Sequence, residues 1–274
     1  MPSLHTILAA TDFSVIATNA VTYACGLAKA TGSKLILLHA FSLSVHSSNS
    51  RISSQGMQQE LDLITKRLKN LGSDLSKLYE IEVDIFCAYL PLEEELFMLI
   101  EAHKPELVVM GMAEKSLEQD LLGNSTTSVI KNIIIPVLAV PQNARFNNAK
   151  KILFAFDNFS LSSAERVSWF TRMAENLNAE VEFFSVDERV VEMLRKPNKI
   201  ETIEELGFEA KFVYKNLDSS TVLSEIKKEI RNYNADILVM MPQKYGFWDS
   251  MIHISKTRSM ATGLDIPLLS LPNY

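Results

Sequence analysis

The chain is predicted to be an α/β protein made of two tandem repeats, each a five-stranded parallel sheet flanked by helices. Three observations carry this. The first is internal repetition. TILAATDFS (6–14) returns as KKILFAFDNFS (150–160), PELVVMG (105–111) as ADILVMM (235–241), and IPVLAVP (135–141) as IPLLSLP (266–272), in the same order. The second is a steady alternation of short apolar runs with amphipathic stretches, the pattern of βα units. The third is length and composition. The 274 residues, 47% hydrophobic and 22% charged, suit two ordinary globular domains with a core each.

In chain order, strands are expected at Thr6–Ala10, Lys34–His39, Glu82–Phe86, Leu107–Met110 and Val137–Val140. All are continuous apolar runs, as parallel strands buried on both faces require. Ala17, Ala20, Ala24 and Ala28 share one face of a helix between the first two, with Gly32 as its stop. Ser47–Gly56 is polar and Ser-rich and reads as a loop. Leu61, Ile64, Leu68 and Leu71 mark a helix over Met57–Tyr79. Pro91–His103 opens with Pro and the run Glu93-Glu94-Glu95, which suits the positive end of a helix. The polar stretch NARFNNAK (143–150) joins the repeats, placing one domain at 1–143 and the other at 150–274. In the second repeat, strands are expected at Lys151–Phe156, Val181–Val186, Glu209–Val213, Ile237–Met241 and Pro267–Leu271. Its first helix carries Ala164, Val167, Phe170, Ala174 and Leu177.

Composition excludes some function classes. A net charge of −6 disfavours broad contact with nucleic acid or anionic membranes. Cys25 and Cys87 lie in apolar stretches outside any CxxC pair and read as reduced, buried thiols. Met1–His5 is too short and polar for a signal sequence, and no apolar run approaches a membrane span, so a cytoplasmic protein is expected. The five histidines are scattered without metal-ligand spacing, and His39, ending a buried strand, reads as structural. No GxSxG or GxxxxGK[ST] motif is present.

In parallel α/β sheets ligands sit at the carboxyl ends of the strands. Two segments of the first repeat meet there: Thr11-Asp12-Phe13-Ser14, and the stretch from Gly111 to Thr126 containing Gly123-Asn124-Ser125. A Gly–small-polar turn opening a helix offers free N–H groups and the positive end of the dipole to a phosphate, and equally serves as a capped turn.

ILAATDFS with its Ala-spaced helix, KLILLHA, LVVMG, the GNST turn and the closing PVLAVP together resemble the universal stress protein family in its tandem form. The resemblance implies an adenine-nucleotide α-hydrolase-like fold and, as in many members, ATP binding through a Gly-2x-Gly-9x-Gly-Ser/Thr pattern. It implies that Asp12 reaches the ribose and that Ala40 offers backbone to the adenine. Gly111 and Gly123 would be the first and third glycines, followed by Asn124 and Ser125, with Ala10 and Met110 completing the set. Two departures stand out. Ala113-Glu114 replaces the middle glycine, and the loop is one residue short. A Glu beside phosphates repels them by about 1 kcal/mol, and Lys115 offsets it.

In the second repeat Met241, Lys244 and Ile254 stand at the glycine positions and only Ser255 remains, so no nucleotide is expected there. Asp157 reads as a turn cap. Tyr245, Phe247, Trp248 and Met251 form an aromatic cluster suited to an interface.

The resemblance implies a non-enzymatic stress-response protein that binds ATP or another adenine nucleotide, with Mg only as the nucleotide's counter-ion. The alternatives are an interaction module without nucleotide and a weak ATPase. Pairing through the final strands implies a pseudo-dimer of repeats, or a homodimer.

Overall fold

The computed structural model describes residues 4–40, 54–112, 124–156, 164–185, 210–214, 222–241 and 264–272. In the first repeat the elements run β1 (Thr6–Ala10), α1 (Val15–Thr31), β2 (Lys34–Ala40), α2 (Ser54–Tyr79), β3 (Val83–Ala88), α3 (Leu92–His103), β4 (Leu107–Met112), α4 (Asn124–Asn132) and β5 (Val137–Pro141). The second continues with β6 (Lys151–Phe156), α5 (Ala164–Leu177), β7 (Glu180–Ser185), β8 (Ala210–Tyr214), α6 (Val222–Tyr233), β9 (Ile237–Met240) and β10 (Leu268–Ser270).

The strands form one ten-stranded sheet in the order β3-β2-β1-β4-β5-β10-β9-β6-β7-β8. Each half is parallel within itself. The halves meet through β5 and β10, which pair antiparallel with Leu268 opposite Ala139 and Ser270 opposite Val137. The strand carboxyl ends of one half therefore lie beside the strand amino ends of the other.

The expectation of a core for each repeat is corrected here. The buried residues form two clusters, and the sheet, not the repeat boundary, divides them. On one face α1, α2 and α5 cover Ile7, Ala9, Leu138, Ile152 and Val239. On the other α3, α4 and α6 cover Leu8, Met110, Ala139, Leu153 and Leu238. Both clusters run through both halves because alternate residues of each strand point to opposite faces. The central strands β5, β9 and β10 are buried throughout, whereas the edge strand β3 is half-buried at every residue.

Helix boundaries follow local chemistry. Ser14 caps α1 by accepting from the Ala17 amide at 3.2 Å, and Gly32 ends it with φ +67°, a conformation that costs glycine little. The acidic residues Glu93, Glu94 and Glu95 occupy the first turn of α3. Two of them do more than meet the helix dipole: Glu95 is buried, and Glu93 accepts from the Ser128 hydroxyl and from Asn132 Nδ2 (3.1 Å), tying α3 to α4. Ser54, Gln55 and Gly56 belong to α2, so the expected loop is shorter at its end than its composition suggests. Ser47–Ser53 lie outside the described residues.

The segment between β5 and β6 is fastened to α1. Buried Asn19 donates through Nδ2 to the carbonyls of Pro141 (2.8 Å) and Ala144 (2.9 Å), while its Oδ1 accepts from Arg145. Phe146 lies edge-on to Tyr23 at 5.3 Å, and a Cβ on Gly26 would sit 2.7 Å from the Phe146 ring. Glycine at that position lets the segment approach the helix closely.

Candidate functional site

The carboxyl ends of β1, β2 and β4 lie side by side. Past β1 the chain makes a tight turn. The Thr11 amide donates to the Leu38 carbonyl (2.8 Å), the Phe13 amide to Thr11 Oγ1 (3.0 Å), and the Ser14 amide to Asp12 Oδ1 (2.9 Å). Asp12 is exposed at the surface of this turn. Burial pushes its carboxyl up. The opposing effects of the Ser14 hydroxyl and amide, its own amide and the His39 charge prevail, so its pKa lies below the ordinary value.

Phe13 holds φ +62°, rare for a bulky residue and costing about 1–3 kcal/mol. Its ring stacks on His39 (4.8 Å, 29°) and carries the Arg67 guanidinium of α2 4.0 Å from its centroid. His39 is buried and its Nδ1 donates to the Thr11 carbonyl at 2.7 Å, since a carbonyl can only accept. The stack of His39, Phe13 and Arg67 is not visible in the sequence. Phe13 stands in the quoted turn, but the placement of Arg67 depends on where α2 crosses the sheet.

Near the end of β4, Gly111 has a packing reason for its missing side chain. A Cβ there would lie 2.6 Å from Ile16 Cγ2 and 3.1 Å from the Ile16 carbonyl carbon. Its carbonyl accepts from Thr126 Oγ1 at 2.9 Å, which fixes the first turn of α4 to the end of β4. The hydroxyl of Thr127, in the same turn, is buried without a hydrogen-bond partner among the described residues.

Of the expected ligand residues, Ala10, Asp12, Ala40, Met110 and Gly111 stand at neighbouring strand ends, and Asn124 and Ser125 open α4. Ala10 and Met110 are buried in the core, which leaves only main-chain atoms for a ligand. Gly123, Ala113, Glu114 and Lys115 lie outside the described residues, as do Asp157, Lys244, Ile254, Ser255 and the aromatic cluster Tyr245, Phe247, Trp248 and Met251. Two clefts among the described residues lie elsewhere. One of about 300 Å³ runs between α1 and Gln142–Arg145, and one of about 250 Å³ sits between the halves.

Cys25 is fully buried, and that burial pushes its thiol up to about 12. Cys87 is only half-buried, a correction to the expectation of two buried thiols. Among the described residues no three His, Cys, Asp or Glu gather as a metal site, and no helix is long and apolar enough to cross a membrane.

The model of the universal stress protein family matches residues 3–141. The chain belongs to that family. The fold of this universal stress protein is shared with solved structures of low identity. One is a universal stress protein from Archaeoglobus fulgidus DSM 4304 (16% identity, 97% of this chain and 98% of that one, TM-score 0.68). Another is a functionally unknown protein from Pseudomonas aeruginosa PAO1 (17% identity, 98% and 92%, TM-score 0.57). A universal stress protein solved in complex with cAMP aligns with 51% of this chain and 98% of its own at 20% identity and TM-score 0.38. No curated protein matches.

Proposed function

We propose that the first repeat, residues 1–143, binds an adenine nucleotide and that residues 150–274 form a partner domain without a nucleotide site. The protein then acts as a nucleotide-responsive stress protein and not as an enzyme. The observation that carries this is the Thr126–Gly111 hydrogen bond, which holds the amino end of α4 against the end of β4, next to the Asp12 turn. An α-helix start presents unsatisfied N–H groups to phosphates, and the Thr127 hydroxyl, without a partner among the described residues, lies in the same turn. Asp12, ionised at neutral pH, accepts from ribose hydroxyls. The strand-end main chain at Ala10, Ala40 and Met110 frames the base, and Gly111, Gly123, Asn124 and Ser125 frame the phosphates. Mg accompanies the phosphates only as counter-ion.

Native mass spectrometry of the purified protein, followed by denaturing release, tests this. One adenine nucleotide per chain is expected, and Gly123→Asp abolishes it. Asp12→Ala weakens ATP by about tenfold to a hundredfold, the worth of one charged hydrogen bond. An empty protein that shows no thermal shift with ATP or cAMP sinks the proposal.

A specific observation favours the alternative, an interaction module without nucleotide. Packing on Ile16 alone accounts for Gly111, so that glycine needs no ligand to explain it.

A further inference from the structure

The cleft of about 250 Å³ between the halves is built from the segment joining them and from the strand-start edge of the second repeat. Three oxygen-bearing side chains line it: Tyr23 from α1, Asp236 before β9 and Asp265 before β10. Tyr23 is only 3% exposed. Tyr23 lines the cleft, and its hydroxyl makes no hydrogen bond among the described residues. Burial first, and the Asp236 charge second, push the phenol up, so it stays protonated. Asp236 Oδ2 accepts one backbone amide, that of Lys151, at 2.9 Å. Asp265 is exposed and has no ion-pair partner among the described residues.

The charged groups of the neighbouring cations make their contacts with groups other than Asp236 and Asp265. Arg145, the one cation among the described residues lining the cleft, gives Nη1 to Asn19 Oδ1 and to the carbonyls of Gln142 and Ala144, both carbonyls 3.1 Å away. Lys150 donates to the Leu177 carbonyl at 2.7 Å, and the Lys151 ammonium lies 5.2 Å over the Tyr233 ring. Ala149, Ala235 and Ile266 supply an apolar wall.

We propose that this cleft binds a small alkylammonium compound, its ammonium group held by Tyr23, Asp236 and Asp265 and its aliphatic body lying against Ala149, Ala235 and Ile266. An ammonium carries three donors and no acceptor, which matches a phenol oxygen and two carboxylates. Asp236 is half-buried, and a carboxylate taken partly out of water is stabilised by a cation held against it. A divalent metal suits the cleft less well, because Mg or Ca takes six or more oxygen ligands in close geometry. The site is separate from the nucleotide site and stands or falls independently of it.

The test is isothermal titration calorimetry of the full chain with 1,4-diaminobutane at constant ionic strength, with 1-butanol and magnesium chloride as controls. Saturable binding of one diamine per chain is expected, with no heat from butanol and none from magnesium. Asp265→Asn weakens the diamine by about tenfold without altering the melting of the free protein, since the side chain has no partner among the described residues to lose. Tyr23→Phe keeps the ring against Phe146 and weakens the diamine by a smaller factor. Absence of saturable heat up to about 10 mM diamine overturns the proposal. So does binding that Asp265→Asn leaves unchanged, or an equal response to magnesium, which would reduce the cleft to a patch of negative charge.

Discussion

At the scale of single residues, small side chains and one buried amide do most of the positioning. Gly111→Ala places a methyl 2.6 Å from Ile16 Cγ2 and 3.1 Å from its backbone, so strand or helix must shift. A loss of about 1–3 kcal/mol is expected, measured as a lower urea midpoint with unchanged slope. Asn19→Ala removes the buried Nδ2 bonds to the Pro141 and Ala144 carbonyls, which keep only the Ala144 amide and Arg145 as donors, and costs about 1–3 kcal/mol in the same assay. Asp12 makes a prediction about pH. Its folded pKa lies below the unfolded value, so its contribution to stability is present above that unfolded value and is lost as pH falls through the folded one. A carbon-13 titration of the Asp12 carboxyl should give a midpoint below 3.8, its ordinary value, and Ser14→Ala should move that midpoint upward. A midpoint at or above 3.8 contradicts the Ser14 contacts. The fully buried Cys25, its pKa near 12, should not react with a thiol reagent at neutral pH in the native protein. Modification of both thiols before unfolding would contradict its burial.

At the scale of elements, the strands were the most legible part of the sequence. Thr6–Ala10 and Lys151–Phe156 have the expected ends, because each apolar run is bounded by polar residues. Other ends moved by a residue or two. β4 runs on to Met112, past the Gly at which a side-chain pattern stops being informative. β10 begins at Leu268, since Pro267 has no N–H for the ladder. The start of α2 at Ser54 was hidden because Ser-rich composition resembles a loop. The candidate site was legible where it is local, in the Asp12 turn and the α4 start. It was illegible where it depends on helices crossing strands, as in the Arg67–Phe13–His39 stack and the Gly111–Ile16 contact. Capping shows how an element depends on one atom. Ser14→Ala removes the acceptor for the Ala17 amide and should lower stability by about 1 kcal/mol.

At the scale of the whole molecule, the shared clusters decide how the chain unfolds. Both tryptophans, Trp169 and Trp248, belong to the second repeat, so tryptophan fluorescence reports on that half alone. Far-UV circular dichroism reports on both. Because each hydrophobic cluster runs through both halves, the two signals should lose structure at one urea concentration. Two separated transitions would mean that the repeats hold themselves together independently. A fragment of residues 1–143 should leave β5 without its antiparallel partner, and an open apolar edge strand seeks another. Sedimentation equilibrium is expected to find that fragment dimeric, and a stable, soluble monomer would contradict the importance of the β5–β10 seam.

The antiparallel seam between β5 and β10 makes the molecule a plate with two unlike rims. Whatever reads the Asp12 turn from one side meets, along that same rim, the strand starts of the other repeat and the cleft around Asp236 and Asp265. The carboxyl end of β6 in the second repeat lies at the opposite rim. A partner approaching from a single direction therefore meets the proposed nucleotide site of the first repeat and the seam between the halves together.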